Sequence, residues 1–367
     1  MNILLVTMEM QVGGAETHIF ELAKELNKRK HKVYVMSAGG KYAEALEQSE
    51  IIHIVAPLKD KKPQNMLKSY NILKKVIKEN KIDVVHAHAR IPAFISGLVC
   101  KKMKVPFVTT VHGIYKVTAL LKLLTNWGTK TLAVSEDIKK QVMDVYNIEE
   151  KNVKVTVNGI NTEVFAKGKN EKVQKELGID NGKFHIVHVS RLDSMSSSVA
   201  EMLIHISDEL NKKIDSGVQV IIVGAGDKFE EIKDIAKSHE NVILTGMRTD
   251  VAQILKNCDL FVGVSRAALE AMACELPVIL AGNKDYEQGY MGRFDENKLQ
   301  EAINTNFCCR GYQFMDENQM ILDIVNVYNL SKNEKDKLVG FGRKVVIDNY
   351  SIDKMTEDAL KIYKEVM

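Results

Sequence analysis

Short apolar runs that alternate with amphipathic stretches along nearly the whole chain are the feature that most constrains its fold. Residues 3–7 and 33–37 have the pattern of buried strands, and between them Ile19, Leu22 and Leu26 recur at helical spacing. Because strand–helix–strand units place helices on both faces of a mostly parallel sheet, the sequence predicts an α/β fold.

Two series of strands divide the 367 residues. The first continues through 51–55, 84–87, 107–110, 132–134 and 153–157. After a polar stretch near 167–181, the second comprises 185–190, 218–223, 242–245, 260–264 and 277–281. Since one core rarely holds a chain of this length, we predict two doubly wound Rossmann-like domains that face a cleft, residues 1–165 and 166–345.

The composition is that of a globular protein and argues against several classes of function. Apolar residues make up 45%, and 51 Lys and Arg against 48 Asp and Glu give a net charge of +3, too small to favour a nucleic acid partner. Five cysteines without a C-x-x-C pair predict neither a disulfide framework nor a zinc site. With no signal-peptide pattern and no apolar run near the ~18 residues of a membrane span, we expect a cytoplasmic protein.

Lysines are crowded into residues 59–81, where eight of them occur. A solvated helix face explains this crowding, and the alternative is a weak peripheral contact with the anionic inner face of the cell membrane. Residues 116–127 are apolar with interspersed lysines. They are interpreted as a buried helix, or as an interfacial helix that meets a lipid-linked acceptor.

A pair of glycines follows the first strand. In doubly wound sheets, ligands bind beyond the carboxyl ends of the strands, where helix N-termini present free N–H groups. Gly13 and Gly14 let the backbone approach a diphosphate there, although a tight turn would also explain them. The loop is not G-x-G-x-x-G and the second strand ends without an acidic residue, which disfavours a nicotinamide cofactor.

Histidines end two further strands of the first domain. His86 and His88 lie at the end of one strand, and His112 follows the next, beside Gly113. Each is placed to donate a hydrogen bond to a ligand. Three histidines could also ligate a metal, but no carboxylate ends a matching strand, so we expect no metal.

Charged residues and glycines end the strands of the second domain. Arg191 follows its first strand and could hold a diphosphate with two hydrogen bonds. Gly224 follows the second strand and Arg248 the third. Glu270 lies in a helix otherwise rich in Ala, Leu and Met, and is interpreted as a carboxylate that binds ribose, or as a Glu on a solvated helix edge.

The order of these motifs resembles the retaining glycosyltransferases of the GT-B fold, in particular family 4, also called group 1. The resemblance covers nearly the whole chain and rests on residues 13–18, 110–113, 133–136, 157–165, 190–193, 223–226, 269–279 and 349–351. It implies a C-terminal helix, within 346–367, that packs back on the N-terminal domain. It also implies a UDP-linked sugar as co-substrate, a glycan or lipid-linked acceptor of the cell envelope, and no cofactor or metal.

The resemblance also implies roles for individual residues. His112 would face the transferred sugar and Arg191 would hold the phosphates. The residues implied in donor binding are Gly13, Gly14, Gly224, Arg248, Ser265 and Glu270, of which Arg248 would border the base and Glu270 would bind the ribose. The residues implied near the acceptor are Glu16, His88 and Tyr115.

The sequence departs from the family pattern at two places. A lysine usually found shortly after Asp193 is absent from 194–198, and loss of one such donor costs about 2.7–4 kcal/mol of transition-state stabilisation. The first of a pair of glutamates eight positions apart is also missing, because Val262 stands eight residues before Glu270. We hypothesise that Arg266 supplies the missing positive charge in catalysis.

Three functions remain open from the sequence. The first is a metal-independent hexosyltransferase that acts with retention of anomeric configuration. The second is a non-catalytic glycosyltransferase-like subunit that scaffolds or activates a partner enzyme, which the two departures favour. The third is a nucleotide-sugar epimerase on the same fold, which would need acid and base carboxylates that the strand ends do not supply.

Overall fold

The chain forms two compact units. The structure, a computed structural model, describes residues 1–11, 13–60, 62–114, 117–118, 121–122, 125–314 and 316–367. Unit 1 comprises Met1–Gly159 with Tyr350–Met367, and unit 2 comprises Ile160–Asn349. These junctions lie a few residues from the predicted boundaries after 165 and 345.

Unit 1 is built on a seven-stranded sheet in which every pair of neighbours is parallel. Its strands are β1 (Asn2–Val6), β2 (Lys32–Ser37), β3 (Ile52–Val55), β4 (Val84–Ala87), β5 (Phe107–Val111), β6 (Lys130–Ala133) and β7 (Val153–Val155). They lie in the order β3-β2-β1-β4-β5-β6-β7. Its described helices up to residue 159 are α1 (Gly14–Lys28), α2 (Lys41–Glu47), α3 (Pro63–Glu79), α4 (Arg90–Met103) and α5 (Glu136–Tyr146).

Helices cover both faces of this sheet because its strands are apolar on both sides. On one face, Ile19 and Leu22 of α1 pack with Leu5 of β1. On the other face, Leu73 of α3 packs in one core with Leu4 of β1 and with α4. The buried residues of α1 recur at the predicted spacing, which confirms the helix predicted after the first strand.

Unit 2 is built on a six-stranded sheet in the order β10-β9-β8-β11-β12-β13. Its strands are β8 (Phe184–Val189), β9 (Val218–Val223), β10 (Val242–Leu244), β11 (Leu260–Gly263), β12 (Val278–Ala281) and β13 (Tyr290–Arg293). Its described helices are α6 (Glu171–Leu177), α7 (Ser198–Lys213), α8 (Phe229–Ala236), α9 (Val251–Leu255), α10 (Ser265–Ala273), α11 (Leu299–Asn304), α12 (Glu317–Tyr328) and α13 (Lys332–Asn349). The prediction of two Rossmann-like α/β domains is confirmed.

The edge strand β13 escaped the sequence analysis. It pairs antiparallel with β12, whereas the other pairs of this sheet are parallel. Its four residues include Gly292 at a φ of 75°, and its two end residues are only half-buried. A short strand that is interrupted by a glycine lacks the continuous apolar pattern by which buried strands are found.

The last helix, α14 (Ile352–Val366), returns to unit 1. Met355, Ala359 and Tyr363 pack in one core with Leu5 of β1. At the start of the helix, a Cβ on Gly159 would lie only 2.9 Å from the Ile352 Cα, so this glycine permits a close approach. The expected return of the C-terminal helix to the N-terminal unit is confirmed.

Two expectations concern membranes. Among the described residues, no helix is both long enough and apolar enough to cross a membrane. The apolar stretch 116–127 includes residues 116, 119, 120, 123 and 124, which lie outside the described residues. The helix expected there, buried or interfacial, therefore stays a prediction.

Candidate functional site

The candidate residues of unit 1 gather where the strand order reverses. β1 and β4 are neighbours, but the chain runs outward through β2 and β3 before it returns to β4. Ligands of doubly wound sheets bind beyond the carboxyl ends of the strands at such a point. His88 follows β4, and its backbone N–H donates to the Val6 carbonyl oxygen at 2.9 Å. His18 belongs to α1, after β1, and His112 follows β5.

Three imidazoles form a compact cluster at this edge of the sheet. His88 Nδ1 lies 3.2 Å from His112 Nε2. The rings of His18 and His112 meet edge to face with their centroids 4.8 Å apart. His18 Nδ1 also lies 3.3 Å from Asn158 Oδ1. The structure therefore brings His88 and His112 together, and adds His18 and Asn158 to them.

His86 lies next to this cluster, and both of its ring nitrogens form hydrogen bonds. Its Nδ1 lies 2.7 Å from the Tyr363 hydroxyl, and its Nε2 lies 2.7 Å from the Thr110 hydroxyl. Its ring centroid is 4.1 Å from that of His88. A hydroxyl of the C-terminal helix thus fixes the imidazole that supports His88.

Burial keeps these imidazoles neutral. It lowers the pKa of His86 to about 3, with the nearby His112 adding to the effect, and lowers the pKa of His112 to about 4. The pKa of His88 falls well below the ordinary 6.5, through burial first and then through its three histidine neighbours. Neutral imidazoles can donate or accept hydrogen bonds toward an uncharged sugar hydroxyl.

The same cluster has the geometry for a metal ion. The ligand nitrogens of His18, His88 and His112 lie within 4.8 Å of one another. Neutral imidazole is the form that binds metals, but this set has no carboxylate. The sequence-based expectation that no metal takes part stays a prediction.

We expect the substitution Tyr363→Phe to lower the free energy of unfolding of unit 1 by about 1–3 kcal/mol. The change removes the hydroxyl that meets His86 Nδ1 inside a fully buried site. Tyr34→Phe is the matched control, because the buried Tyr34 hydroxyl forms no hydrogen bond within the described residues. Urea denaturation measures both variants. Equal losses would contradict a stabilising bond between Tyr363 and His86.

The predicted glycines stand at the start of α1. No described atom lies within 4 Å of a Cβ built on Gly14, whereas a Cβ on Gly13 would collide with the Glu16 carboxylate. Thr17 closes the turn, because its hydroxyl donates to the Gly13 carbonyl oxygen at 2.8 Å. The backbone at Gly14 is therefore open to a ligand, as the predicted diphosphate contact requires.

The strand ends of unit 2 approach each other backbone to backbone. The Gly224 N–H donates to the Gly246 carbonyl oxygen at 3.0 Å. A Cβ on Gly224 would fall far inside the contact distance of the Ser190 carbonyl oxygen, and one on Gly226 would collide with the Leu192 backbone. The loop 224–226 thus lies directly on the loop that contains Arg191.

A buried ion pair follows β11, which neighbours β8 at the point where this sheet reverses its order. Arg266 Nε donates to Glu270 Oε1 at 2.8 Å, and only 10% and 12% of the two side chains is exposed. Glu270 is therefore not a residue on a solvated helix edge. The helix begins at Ser265, whose φ is +59° and whose N–H donates to the Phe307 carbonyl oxygen at 2.8 Å.

The other predicted cations are held differently. Arg191 is exposed over 68% of its side chain, and its Nη2 lies 3.2 Å from the Tyr286 hydroxyl. Arg248 donates two bonds of 2.8 Å to Asp250 and a third to Glu176, and these carboxylates raise its pKa. Arg191 also lies 3.9 Å from the Asp193 carboxylate, but its exposure leaves it accessible to an anion, whereas Arg248 and Arg266 are held by shorter ion pairs.

Serines close the turn where the family usually has a lysine. The Ser196 hydroxyl donates to Asp193 Oδ1 at 2.7 Å and also to the Arg191 carbonyl oxygen. The Ser198 hydroxyl donates to Asn283 Oδ1 at 3.0 Å. This turn shapes the loop around Arg191 but adds no positive charge.

The structure adds residues to the predicted set in unit 1, and the functional roles of the whole set stay predictions. Asn158 and Tyr363 escaped the sequence analysis as site residues. Asn158 had a signal, because it lies in the motif 157–165, but a Tyr in an amphipathic helix has none. Tyr115 lies outside the described residues, so its predicted place near the acceptor stays a prediction.

Known proteins match this chain in sequence and fold. Residues 12–164 match the glycosyltransferase family 4, and residues 183–305 match the glycosyl transferases group 1. N-acetyl-alpha-D-glucosaminyl L-malate synthase of Bacillus anthracis is 24% identical over 302 residues, which cover 75% of this chain and 77% of that protein. Alpha-monoglucosyldiacylglycerol synthase of Streptococcus pneumoniae is 25% identical over 310 residues, which cover 74% and 69%.

The fold also matches a solved structure along its whole length. Anabaena Alr3699/HepE in complex with UDP-glucose superposes with a TM-score of 0.75 at 18% identity, covering all of both chains. The two family matches together span most of both sheets. This chain therefore belongs to the family 4, or group 1, glycosyltransferases of the GT-B fold.

Proposed function

We propose that this protein is a retaining, metal-independent hexosyltransferase that moves a sugar from a UDP-linked donor to a glycan or lipid-linked acceptor of the cell envelope. The observation that carries the proposal is the buried Glu270 carboxylate after β11, at the point where the sheet of unit 2 reverses. A carboxylate at this edge can accept two hydrogen bonds from the ribose hydroxyls of a nucleotide.

The remaining roles follow from charge and accessibility. Exposed Arg191 would bind the diphosphate and stabilise it as it leaves. The open backbone at Gly14 leaves room for the close approach of a diphosphate. Neutral His112 would form a hydrogen bond to the transferred sugar. No side chain needs to act as a covalent nucleophile, because fixed positive charge and backbone N–H groups stabilise the departing diphosphate.

Relatives support the choice of substrates. The names of two relatives describe the making of a glucosaminyl malate and of a glucosylated diacylglycerol. A protein of the same fold is known in complex with UDP-glucose. The complex with UDP-glucose favours a UDP-linked donor, and the name of the diacylglycerol synthase favours a lipid acceptor.

Thermal unfolding with UDP, GDP, ADP and CMP and their sugar conjugates tests the donor. A ligand at about a hundred times its dissociation constant adds about 2.7 kcal/mol, which raises the melting temperature of a unit of this size by about 5–10 °C. We expect this shift with UDP and a UDP-sugar. It should disappear in Glu270→Gln, which keeps the size of the side chain but removes its charge.

The variant needs a matched control, because breaking the pair with Arg266 also lowers stability. Glu275→Gln breaks a less buried pair, that of Glu275 with Lys167 at 2.9 Å, away from the carboxyl ends of the strands. Each shift is measured against the same variant without ligand. A UDP shift that survives in Glu270→Gln would contradict the ribose role. A shift with GDP or ADP instead of UDP would show that the donor carries guanine or adenine and not uracil.

Turnover with the donor so identified tests the chemistry. We expect the product to keep the anomeric configuration of the donor, as read from its NMR coupling constants, and the rate to be unchanged by a chelator. Loss of activity on chelation would assign a metal to His18, His88 and His112 and contradict metal independence.

A second candidate is a non-catalytic subunit that binds a nucleotide sugar and activates a partner enzyme. It is favoured by two observations: the Arg266 charge is compensated by Glu270, and the turn 194–198 adds no cation. The UDP shift with no hydrolysis or transfer of the sugar, in the presence of any acceptor tried, would support this candidate.

A further inference from the structure

The outward sides of α3 and α4 form a surface of lysines and leucines, here called the basic face. The two helices pack against each other and cover one face of the sheet of unit 1. Their buried residues lie on the opposite sides of the helices. The basic face is defined by six exposed residues, Leu67, Lys74, Lys78, Leu98, Lys101 and Lys102.

The segment of the chain that contains the basic face carries a large excess of positive charge. Residues 59–104 contain twelve Lys and Arg against three Asp and Glu, a formal charge of +9 in a chain whose total is +3. The remaining residues therefore carry −6. Such an imbalance costs stability through repulsion, unless a partner of opposite charge offsets it.

The lysines of the basic face are free to meet such a partner. Within the described residues, Lys74, Lys78, Lys101 and Lys102 form no ion pair. On the outer side of α3, Lys75 pairs with Glu79 at 3.9 Å, and both side chains are mostly exposed. The field of the face is thus not cancelled by its own carboxylates.

Exposed leucines among these lysines indicate the kind of partner. Leu67 is 62% exposed and Leu98 is 49% exposed. Leucine can enter the boundary between lipid headgroups and acyl chains, while the neighbouring lysines meet anionic headgroups. Single-stranded nucleic acids are instead held with stacked aromatic rings and arginine side chains, and the six residues include neither.

We propose that the basic face docks unit 1 on the surface of an anionic lipid bilayer. The proposal deepens the proposed function, on which it rests for a lipid-linked acceptor that would be presented at such a surface. Binding to the bilayer needs no turnover, so the two can be tested apart. Lysine charge supplies the attraction and the leucines add apolar contact.

Co-sedimentation of the full chain with vesicles tests the proposal. We expect binding to vesicles that contain equal parts of phosphatidylcholine and phosphatidylglycerol, little binding to phosphatidylcholine alone, and release by high salt. Each lysine near an anionic surface strengthens binding about fivefold. The variant Lys74→Glu, Lys78→Glu, Lys101→Glu, Lys102→Glu should therefore bind at least about a hundredfold more weakly.

The matched control changes the net charge by the same amount on unit 2. It carries Lys172→Glu, Lys175→Glu, Lys212→Glu and Lys213→Glu, all at exposed positions. We expect it to keep most of the vesicle binding. A third variant, Leu67→Ser with Leu98→Ser, should bind several-fold more weakly with its salt dependence unchanged.

Four outcomes would overturn the proposal. They are no binding of the native chain to anionic vesicles, equal loss in the two lysine variants, full binding by the leucine variant, and binding to duplex DNA but not to vesicles. The UDP thermal shift is measured on the same variants. In the native chain, a UDP shift without vesicle binding would reject the basic face and leave the proposed function standing, whereas vesicle binding without a UDP shift would do the reverse.

Discussion

Replacing Gly224 with alanine is expected to unfold unit 2 or to lower its stability by more than about 4 kcal/mol. Gly224 has a φ of +146°, which side chains rarely adopt. Its missing Cβ leaves room for the Ser190 carbonyl oxygen, and a Cβ there would overlap that oxygen. Both strains act on backbone rather than on a side chain that could rotate away.

The surrounding hydrogen bonds prevent relief of this overlap. The Ser190 N–H donates to the Val223 carbonyl oxygen at 3.1 Å, and the Gly224 N–H donates to the Gly246 carbonyl oxygen at 3.0 Å. Moving either loop by the required distance would break the ends of parallel strands β8, β9 and β10. The loop that holds Arg191 would move with them, so we expect donor binding to be lost as well.

Gly178→Ala is the matched control for this prediction. Gly178 has a φ of +67°, but no described atom lies within 4 Å of a Cβ built there. This variant should lose only the strain of a left-handed residue, about 1–2 kcal/mol. Calorimetry or protease resistance measures both variants. If Gly224→Ala is no less stable than Gly178→Ala, the close approach of the two loops is contradicted.

Unit 1 is expected to lose about 4 kcal/mol of stability between pH 7 and pH 5, about 2 kcal/mol for each of the buried residues His86 and His112, and His88 adds to this loss. The unfolded chain takes up these protons near the ordinary pKa of 6.5, whereas burial lowers the pKa of folded His86 to about 3 and that of His112 to about 4. The pKa of His88 falls in the same direction. Between these values the unfolded state binds more protons, so stability falls as the pH falls.

The single tryptophan of the chain makes this measurement specific. Trp127 is buried in unit 1, against the ring of Tyr146, so its fluorescence reports the unfolding of that unit in urea. Above about pH 5, carboxylates with ordinary pKa values stay ionised and contribute little to the change of stability with pH. The variant His112→Gln should flatten the slope by about 1.4 kcal/mol per pH unit, the share of one histidine.

Two results would contradict this account. A stability that does not change between neutral and mildly acidic pH would mean that the imidazoles titrate as they do in water. An unchanged slope in His112→Gln would mean that other groups cause the loss. A metal bound by the cluster would steepen the acid loss, because protons compete for the same nitrogens, and a chelator would then flatten it.

The sequence by itself determined the elements and their order. Strands such as β1 and β9 are continuous apolar runs, and α1 repeats its apolar residues at helical spacing. The local pattern alone was therefore sufficient to predict these elements. It also placed Gly14, His112 and Glu270 in the segments that follow the carboxyl ends of strands, where ligands of parallel sheets bind. The edge strand β13 lacked this pattern and was missed.

Only the tertiary structure decided the partners and the burial of these residues. His86 and Tyr363 are separated by 277 positions, so no local signal joins them before α14 returns to unit 1. The spacing of Arg266 and Glu270 allowed a pair, but their desolvation depends on packing around α10. The overlap that requires Gly224 comes from a loop thirty-four residues away. Local sequence fixes the backbone pattern, whereas pKa, ion pairing and steric room are properties of neighbours that only folding brings together.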